Sequence, residues 1–431
     1  MEGFQISSAA RWPGWRFAMV VYVATIGLAF FLSFGLPGLL GVHQWFMSGD
    51  VWWTTQSAQW VSHGAAGSVY EANPWYSALP GYLALYAPIT ALGDHLGLVT
   101  ANPIPLPYPS MWLLTGPFFF VTGGSCVLGV DYLAATLRIP KIRRRVLLVA
   151  VALLIVAPTP GIAGHPEDML AIALLCWSMA LHMRGQWARS GYVLAAAVMI
   201  QTWAGLAIPI LVLACPVGQR VRMLVRSSAL PALTACLLVM LDPRPAVADL
   251  LKQPMVNSGQ KLPWWYMAGH TTVVDGWRTV PVVVGSSSRW LAVVTACLLG
   301  LAVRRTKDSH TVLAAVAVAM LARGLFETEF WNYYFAPAAV LLVLLVAAGT
   351  PRRRLLWVAG TILGMIPAVC WPLAYDGISI NAFVAEIVLV ACGVSALTIG
   401  TRAGSSGLGT DQLTDRLALD GREYSAVAVL A

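Results

Sequence analysis

The chain has 431 residues, of which 58% are hydrophobic and 11% charged, and its formal net charge at pH 7 is +8. About a quarter of the residues of an ordinary soluble protein are charged, so this composition excludes that class. The basic residues lie in short clusters between apolar runs, which indicates the cytoplasmic loops of a membrane protein and not a nucleic-acid-binding surface. The seven cysteines all lie within apolar runs, where we expect buried thiols and no disulfide framework.

Apolar runs long enough to cross a bilayer, roughly 20 residues each, recur along the whole chain. They predict an all-α polytopic membrane protein with about twelve transmembrane helices. Arg11 and Arg16 precede the first run, at 17–42, and therefore place the N-terminus in the cytoplasm. We expect the transmembrane domain to occupy residues 1–402. A disordered cytoplasmic tail, rich in Gly, Ser and alternating charge, is expected at 403–431.

Two long outer loops interrupt the predicted transmembrane helices, and each is expected to carry an amphipathic helix. The first loop, at 43–110, contains a tryptophan-rich helix predicted at 51–63. Its Pro-bounded apolar piece at 80–88 is short for a crossing, so we expect it to lie in the interface or to re-enter the membrane. The second long loop lies in the middle of the chain, at 242–285. Before it, we expect residues 192–215, interrupted by Gln201, to form two short helices that meet part-way across, with one kinked crossing as the alternative.

The predicted topology collects acids, histidines and aromatic residues on the outer face, while the cytoplasmic face carries mainly Arg and Lys. Asp50 opens the first outer loop. Its carboxylate either caps the helix that starts at Val51 or acts as a general base that takes a proton from an acceptor hydroxyl. Trp52 and Trp53 follow it, either as interfacial anchors or as rings that stack on a sugar.

A second acidic group lies in the outer turn that ends with His165-Pro166-Glu167-Asp168. Proline and acids are common at the start of a helix, so this motif is either an ordinary helix start or a substrate-binding cluster. A metal site would need ligands that converge from several loops. The sequence indicates no metal and no other cofactor, although a divalent ion would suit these residue types.

Basic residues on the outer side form a third group. Arg323 lies within an apolar run, where an arginine is costly and needs a polar partner. That partner is either Glu327, one turn further on, or a phosphate, which guanidinium donors bind bidentately. Lys261 and His270, in the second long loop, either bind a phosphate as well or are solvated loop residues.

These features resemble the GT-C superfamily of integral-membrane glycosyltransferases and, more narrowly, the actinobacterial polyprenol-phosphate-mannose-dependent mannosyltransferases. The resemblance covers residues 15–345 and includes an acid shortly after the first span, an amphipathic helix and a Tyr/Pro-rich stretch. The segments that carry it are Gly49-Asp50, Val69-Tyr70, Trp75–Pro88, Gly164–Asp168, Pro263-Trp264-Trp265 and Trp331–Pro337. Unlike some GT-C members, the chain has one acid at the first-loop position and not an adjacent pair, which puts a divalent-metal requirement in doubt.

The resemblance implies an inverting glycosyltransferase, most specifically a mannosyltransferase, whose donor is a sugar on a polyprenyl phosphate. Asp50 would be the catalytic base, and Lys261, His270 or Arg323 would hold the lipid phosphate as it leaves. The residues expected to bind substrate are Trp52, Trp53, His165, Glu167, Asp168, Trp264, Glu327 and Tyr334.

The resemblance also implies the partners, while the distribution of basic residues predicts the location. The acceptor would be a glycolipid or lipoglycan of the cell envelope held near the bilayer, and no nucleotide or nucleic acid is required. The site would face the outside of the plasma membrane, with both termini in the cytoplasm. The alternative is a transporter or flippase of a lipid-linked sugar. That alternative predicts charges distributed through the middle of the membrane, whereas most acids here lie at one face.

Overall fold

The structure is a computed structural model that describes residues 15–41, 49–72, 76, 78–100, 110–156, 165–241, 243–247, 250, 272–274, 277–279, 282–306, 308–326 and 336–349. Helices account for most of these residues. In chain order they are α1 (Trp15–Leu39), α2 (Gly49–Ser62), α3 (Val69–Ala72), α4 (Gly81–His95), α5 (Trp112–Thr136), α6 (Lys141–Val156), α7 (Pro166–Met183), α8 (Trp187–Ile200), α9 (Ala207–Ala214), α10 (Val217–Leu241), α11 (Pro243–Val247), α12 (Val282–Val303), α13 (Ser309–Phe326) and α14 (Ala336–Ala348).

Shorter elements complete the described chain. Phe31–Gly35 forms a π-helical turn within α1, and Ala66–Ser68 and Thr202–Leu206 form 3-10 turns. The strands β1 (Thr272–Val274) and β2 (Trp277–Thr279) pair in an antiparallel hairpin. The predicted all-α class is therefore confirmed for the described residues, apart from this small hairpin in the second long loop.

Three helices are long and apolar enough to cross a membrane, namely α1, α5 and α10. Five shorter apolar stretches accompany them: Trp187–Ile200, Thr202–Ala214, Arg289–Val303, Ser309–Arg323 and Ala336–Ala348. Helix α10 leaves large apolar side chains such as Val221, Leu233 and Met240 exposed, as a helix that faces lipid does. A membrane protein is thus supported, while the number of twelve crossings and the tail at 403–431 stay predictions, since residues 350–431 lie outside the described residues.

Helices α5 and α7 pack closely at the centre of the bundle. At Gly129 of α5, an added Cβ would lie 2.5 Å from the carbonyl oxygen of Ala173 in α7, so only glycine permits this approach. Small residues at such contacts let two apolar helices gain van der Waals packing along their length. Helix α7 is buried on nearly every side, and this burial fixes the position of its first turn, which carries Glu167 and Asp168.

A buried ion pair joins α5 to α6. The Arg144 guanidinium donates to both carboxylate oxygens of Asp131, from Nε and from one terminal nitrogen. Asp131 is fully buried and Arg144 is nearly so. Because each carboxylate oxygen has a charged donor, this pair locks the turn between the two helices.

The first outer loop is helical and packed. The helix predicted at 51–63 is α2. Its buried side mixes the apolar Val51 and Ala58 with hydroxyl side chains, and so differs from the continuous apolar stripe expected of an amphipathic helix. One of these hydroxyl side chains, Thr55, shares a 2.7 Å hydrogen bond with the hydroxyl of Tyr86 in α4. The piece expected at 80–88 extends through α4, where the Tyr86 ring stacks on Phe118 of α5 at 5.3 Å. It is therefore a helix packed against the bundle.

The 192–215 region forms two short helices that meet at a break. The backbone of Gln201 is extended, with φ −144° and ψ 118°, which ends α8 and starts the 3-10 turn Thr202–Leu206. Trp203 in this turn contacts the first turn of α7, while Cys215, directly after α9, contacts His182 in the last turn of α7. The chain therefore reverses direction at Gln201. The two short helices meet beside the start of α7, and not half-way along α7 as expected for helices that meet part-way across the membrane.

Candidate functional site

Asp50 lies in the first turn of α2, and its carboxylate faces the residue that precedes α7. Its Oδ2 is 3.2 Å from Nε2 of His165. Helix α2 already begins at Gly49, and the contact that the structure records for this carboxylate is with His165. The geometry therefore favours a role for Asp50 in a site over a role as the cap of α2.

His165 stands directly before α7 and links two carboxylates. Its Nδ1 is 3.1 Å from Oε1 of Glu167, in the first turn of the helix. The backbone carbonyl of His165 accepts a hydrogen bond from the N–H of Asp168, but its side chain makes no cap bond. The motif is thus more than an ordinary helix start, because its imidazole bridges Glu167 and Asp50.

The three bridged groups differ in exposure. The Asp50 side chain is 61% exposed, whereas the side chains of His165 and Glu167 are 10% and 11% exposed. The acids in the first turn of α7 also lie where the helix dipole favours negative charge. The cluster therefore has a buried inner pair and an outer carboxylate that a ligand can reach.

The electrostatics of the cluster favour the charged forms of His165 and Asp50. Burial alone would lower the pKa of His165, but hydrogen bonds and charge interactions with Asp50 and Glu167 raise the pKa from 6.5 to about 10. Burial alone would raise the pKa of Asp50, but the hydrogen bond and positive charge of His165 lower the pKa below its ordinary value. At neutral pH, His165 is therefore an imidazolium and Asp50 a carboxylate, which is the form that a general base requires.

Glu167 provides a buried oxygen for a ligand. Its Oε2 is buried and has no hydrogen-bond partner among the described residues, while Oε1 contacts His165. A buried carboxylate oxygen is costly unless a ligand, an ion or water satisfies it. His165, Glu167 and Asp168 each place a ligand atom within 4.8 Å of the others and could hold a metal ion. His165 would first have to lose its proton, because neutral imidazole is the ligand form.

Trp203 extends the cluster toward the arginine of α13. Its indole N–H donates to Oδ1 of Asp168 at 2.7 Å, and both side chains are buried. The guanidinium carbon of Arg323 lies 5.7 Å from the centre of the indole ring, within cation–π range. The sequence prediction missed Trp203. The interruption of the apolar run at Gln201 was the available signal, since irregular backbone at membrane depth often lines a site.

The two tryptophans after Asp50 occupy different sides of α2. Residues three apart share a helix face, so Trp53 lies on the Asp50 side and Trp52 does not. The two rings meet edge to face, with centroids 4.5 Å apart. The Nε1 of Trp52 is buried without a hydrogen-bond partner in the described part of the chain. Trp53 is therefore the better candidate for contact with a ligand at Asp50.

The structure brings together predicted site residues that are far apart in sequence. Asp50, His165 and Glu167 form one contact series, and Arg323 joins Asp168 through Trp203. The remaining predicted site residues lie outside the described residues and stay predictions: Lys261, Trp264, His270, Glu327 and Tyr334.

Comparison with known proteins does not assign the chain to a family. No family model matches the sequence, and no curated protein matches it.

Proposed function

We propose that the protein is a polyprenyl-phosphate-sugar-dependent glycosyltransferase, specifically an inverting mannosyltransferase that acts on a cell-envelope glycolipid or lipoglycan. In this proposal it crosses the plasma membrane about twelve times, with cytoplasmic termini and an outward-facing site. The observation that carries the proposal is the 3.2 Å contact between the exposed Asp50 and the buried His165. The resemblance to GT-C glycosyltransferases supports the same role for Asp50.

The proposed reaction uses Asp50 as the base. Its carboxylate accepts the proton of the acceptor hydroxyl while the hydroxyl oxygen attacks the anomeric carbon of the sugar. The bond from that carbon to the phosphate oxygen breaks on the opposite side, and its electron pair leaves with the lipid phosphate. The configuration at the anomeric carbon therefore inverts.

The neighbours of Asp50 have positioning roles in this reaction. His165 holds Oδ2 of Asp50, so Oδ1 is the oxygen directed to the acceptor. Glu167 holds the imidazolium from the far side, which fixes the ring orientation. A base held by such contacts is already in place when substrate arrives, and correct placement accounts for a large part of catalysis.

Arg323 is the basic residue of the described chain that the proposal places at the lipid phosphate. Guanidinium donors match phosphate oxygens and stabilise the charge that develops on a leaving phosphate. Its link to the acidic cluster through Trp203 and Asp168 supports this assignment. Lys261 and His270 are proposed to bind the same phosphate.

A transfer assay with purified protein tests the proposal. Polyprenyl-phosphate mannose carrying a radioactive sugar is mixed with a glycolipid acceptor, and radioactive product is measured with wild type, Asp50→Asn and Glu71→Gln. Wild type should form product, and Asp50→Asn should lose about 10²- to 10⁴-fold in rate because it cannot accept the proton. Glu71 is an exposed carboxylate in the same outer loop, so Glu71→Gln should match wild type.

Two results would contradict the proposal. Full turnover by Asp50→Asn would remove the base assignment. Sugar-lipid flux in reconstituted vesicles without any product would favour a transporter in place of a transferase.

A further inference from the structure

We propose that Trp203 is a positioning residue that holds Asp168 and Arg323 in one site through the edge and the face of its indole. This inference deepens the proposed function and rests on it for its catalytic readout. Trp203 is one of 18 tryptophans in the chain. Among the described tryptophans, its indole is the one that contacts an anionic and a cationic side chain together.

The edge of the indole holds Asp168. The N–H of Trp203 donates to Oδ1 of Asp168 at 2.7 Å, and Asp168 is 2% exposed. A buried carboxylate oxygen that loses its donor pays a desolvation cost, so it moves to find another partner. Asp168 immediately follows Glu167, so movement of one shifts the other within the same turn of α7.

The face of the indole holds Arg323. The guanidinium carbon lies 5.7 Å from the ring centre, and such a contact is stronger when both partners are shielded from water. Trp203 is 5% exposed and Arg323 is partly buried, so this contact is partly shielded. The ring therefore restricts where the guanidinium of α13 can lie relative to the first turn of α7.

The break in the 192–215 region puts the indole in this position. The extended backbone of Gln201 ends α8, and the 3-10 turn that follows carries Trp203 against the start of α7. A continuous helix through Gln201 would carry the chain past this point. The interruption therefore serves to present one side chain to the site.

Two substitutions separate the roles of the edge and the face. Trp203→Phe keeps an aromatic face for Arg323 but removes the N–H, whereas Trp203→Leu removes both. The dissociation constant for polyprenyl phosphate should stay within about threefold for Trp203→Phe and rise about tenfold for Trp203→Leu. The kcat of mannose transfer should fall about tenfold for Trp203→Phe, because Asp168 loses its donor.

Trp112→Phe is a matched control. The indole N–H of Trp112 donates to the hydroxyl of Ser33 at 2.9 Å, and Trp112 is 1% exposed. This substitution removes an equally buried hydrogen bond at a different place in the bundle. It should lower the melting temperature as Trp203→Phe does, with kcat and polyprenyl phosphate binding unchanged.

The outcomes distinguish this inference from the proposed function. If Trp203→Leu binds polyprenyl phosphate as tightly as wild type, or if Trp112→Phe reproduces the losses of Trp203→Phe, the positioning role is wrong. If wild type binds polyprenyl phosphate but transfers no mannose, the transferase function fails, while the binding series still decides the role of Trp203. Should Trp203→Leu fail to fold, a Trp203→Phe enzyme with wild-type kcat overturns the inference by itself.

Discussion

Two buried charged clusters in this molecule differ in how completely their charges are matched. In the first, one guanidinium of α6 donates to both oxygens of Asp131 in α5, and the carboxylate is sealed from solvent. In the second, His165 joins an Asp50 side chain that is 61% exposed to a Glu167 whose Oε2 has no partner among the described residues. The closed pair has the features of a structural clamp. The open cluster has the features of a ligand-binding site.

The clamp should matter for stability and not for chemistry. Replacing one member of a buried ion pair leaves the other charged and unpaired, which costs about 3–5 kcal/mol. Asp131→Asn should therefore lower the melting temperature strongly in detergent, while the folded fraction keeps the wild-type kcat. A kcat that falls with unchanged melting temperature would show that the closed pair takes part in the reaction.

The open cluster should show the opposite pattern. His165→Gln keeps a hydrogen-bonding side chain but loses the positive charge that holds Asp50. We expect transfer to slow by about 10²-fold because the base is misplaced. His63→Gln is the matched control, since His63 is an exposed histidine that contacts Asp94 and not the site. Equal rates for the two variants would remove His165 from the mechanism.

These expectations show what the sequence could predict. Asp50 and the His165-Pro166-Glu167-Asp168 turn stood out because acids and histidines collect on the predicted outer face, and because three ionisable groups in one turn are more than a helix start requires. Their mutual contact could not be derived, since it joins residues more than a hundred positions apart through the packing of α2 against the bundle. The short-helix interpretation of 192–215 identified the break but not the side chain that it presents.

The closed pair was invisible to sequence reasoning for a related reason. Asp131 lies inside the apolar sequence of α5, and its partner is one of several arginines clustered thirteen residues later. Charge clusters at the ends of transmembrane helices predict topology, but they do not predict which arginine is buried against a neighbouring helix. Only the packing of α5 against α6 selects Arg144.

The pH dependence of stability sharpens the comparison. His165 has a pKa raised to about 10, so its pairing stabilises the folded state fully below its ordinary pKa of 6.5 and is lost as pH rises through 10. Asp50 has a lowered pKa, so the stabilisation that its carboxylate gives to the folded state is present above the ordinary aspartate pKa and is lost in acid. The melting temperature of wild type should therefore fall between pH 8 and 10 more than that of His165→Gln, and parallel curves would contradict the imidazolium assignment.

The smallest expected effect concerns how α2 is held. Thr55→Val removes the 2.7 Å hydrogen bond to the Tyr86 hydroxyl and should cost about 1 kcal/mol of unfolding free energy. Thr234→Val is the control, because the hydrogen bond recorded for the Thr234 hydroxyl goes to the backbone of its own helix. A large loss of activity in Thr55→Val at unchanged stability would mean that this hydroxyl pair belongs to the open cluster.

The central claim is that the open cluster performs glycosyl transfer and that the closed pair supports it only structurally. The most direct test measures mannose transfer and thermal unfolding on the same preparations of Asp50→Asn and Asp131→Asn. We expect Asp50→Asn to lose at least about 10²-fold in rate with a near wild-type melting temperature. We expect Asp131→Asn to keep the wild-type rate with a strongly lowered melting temperature. Wild-type transfer by a folded Asp50→Asn protein would contradict the central claim.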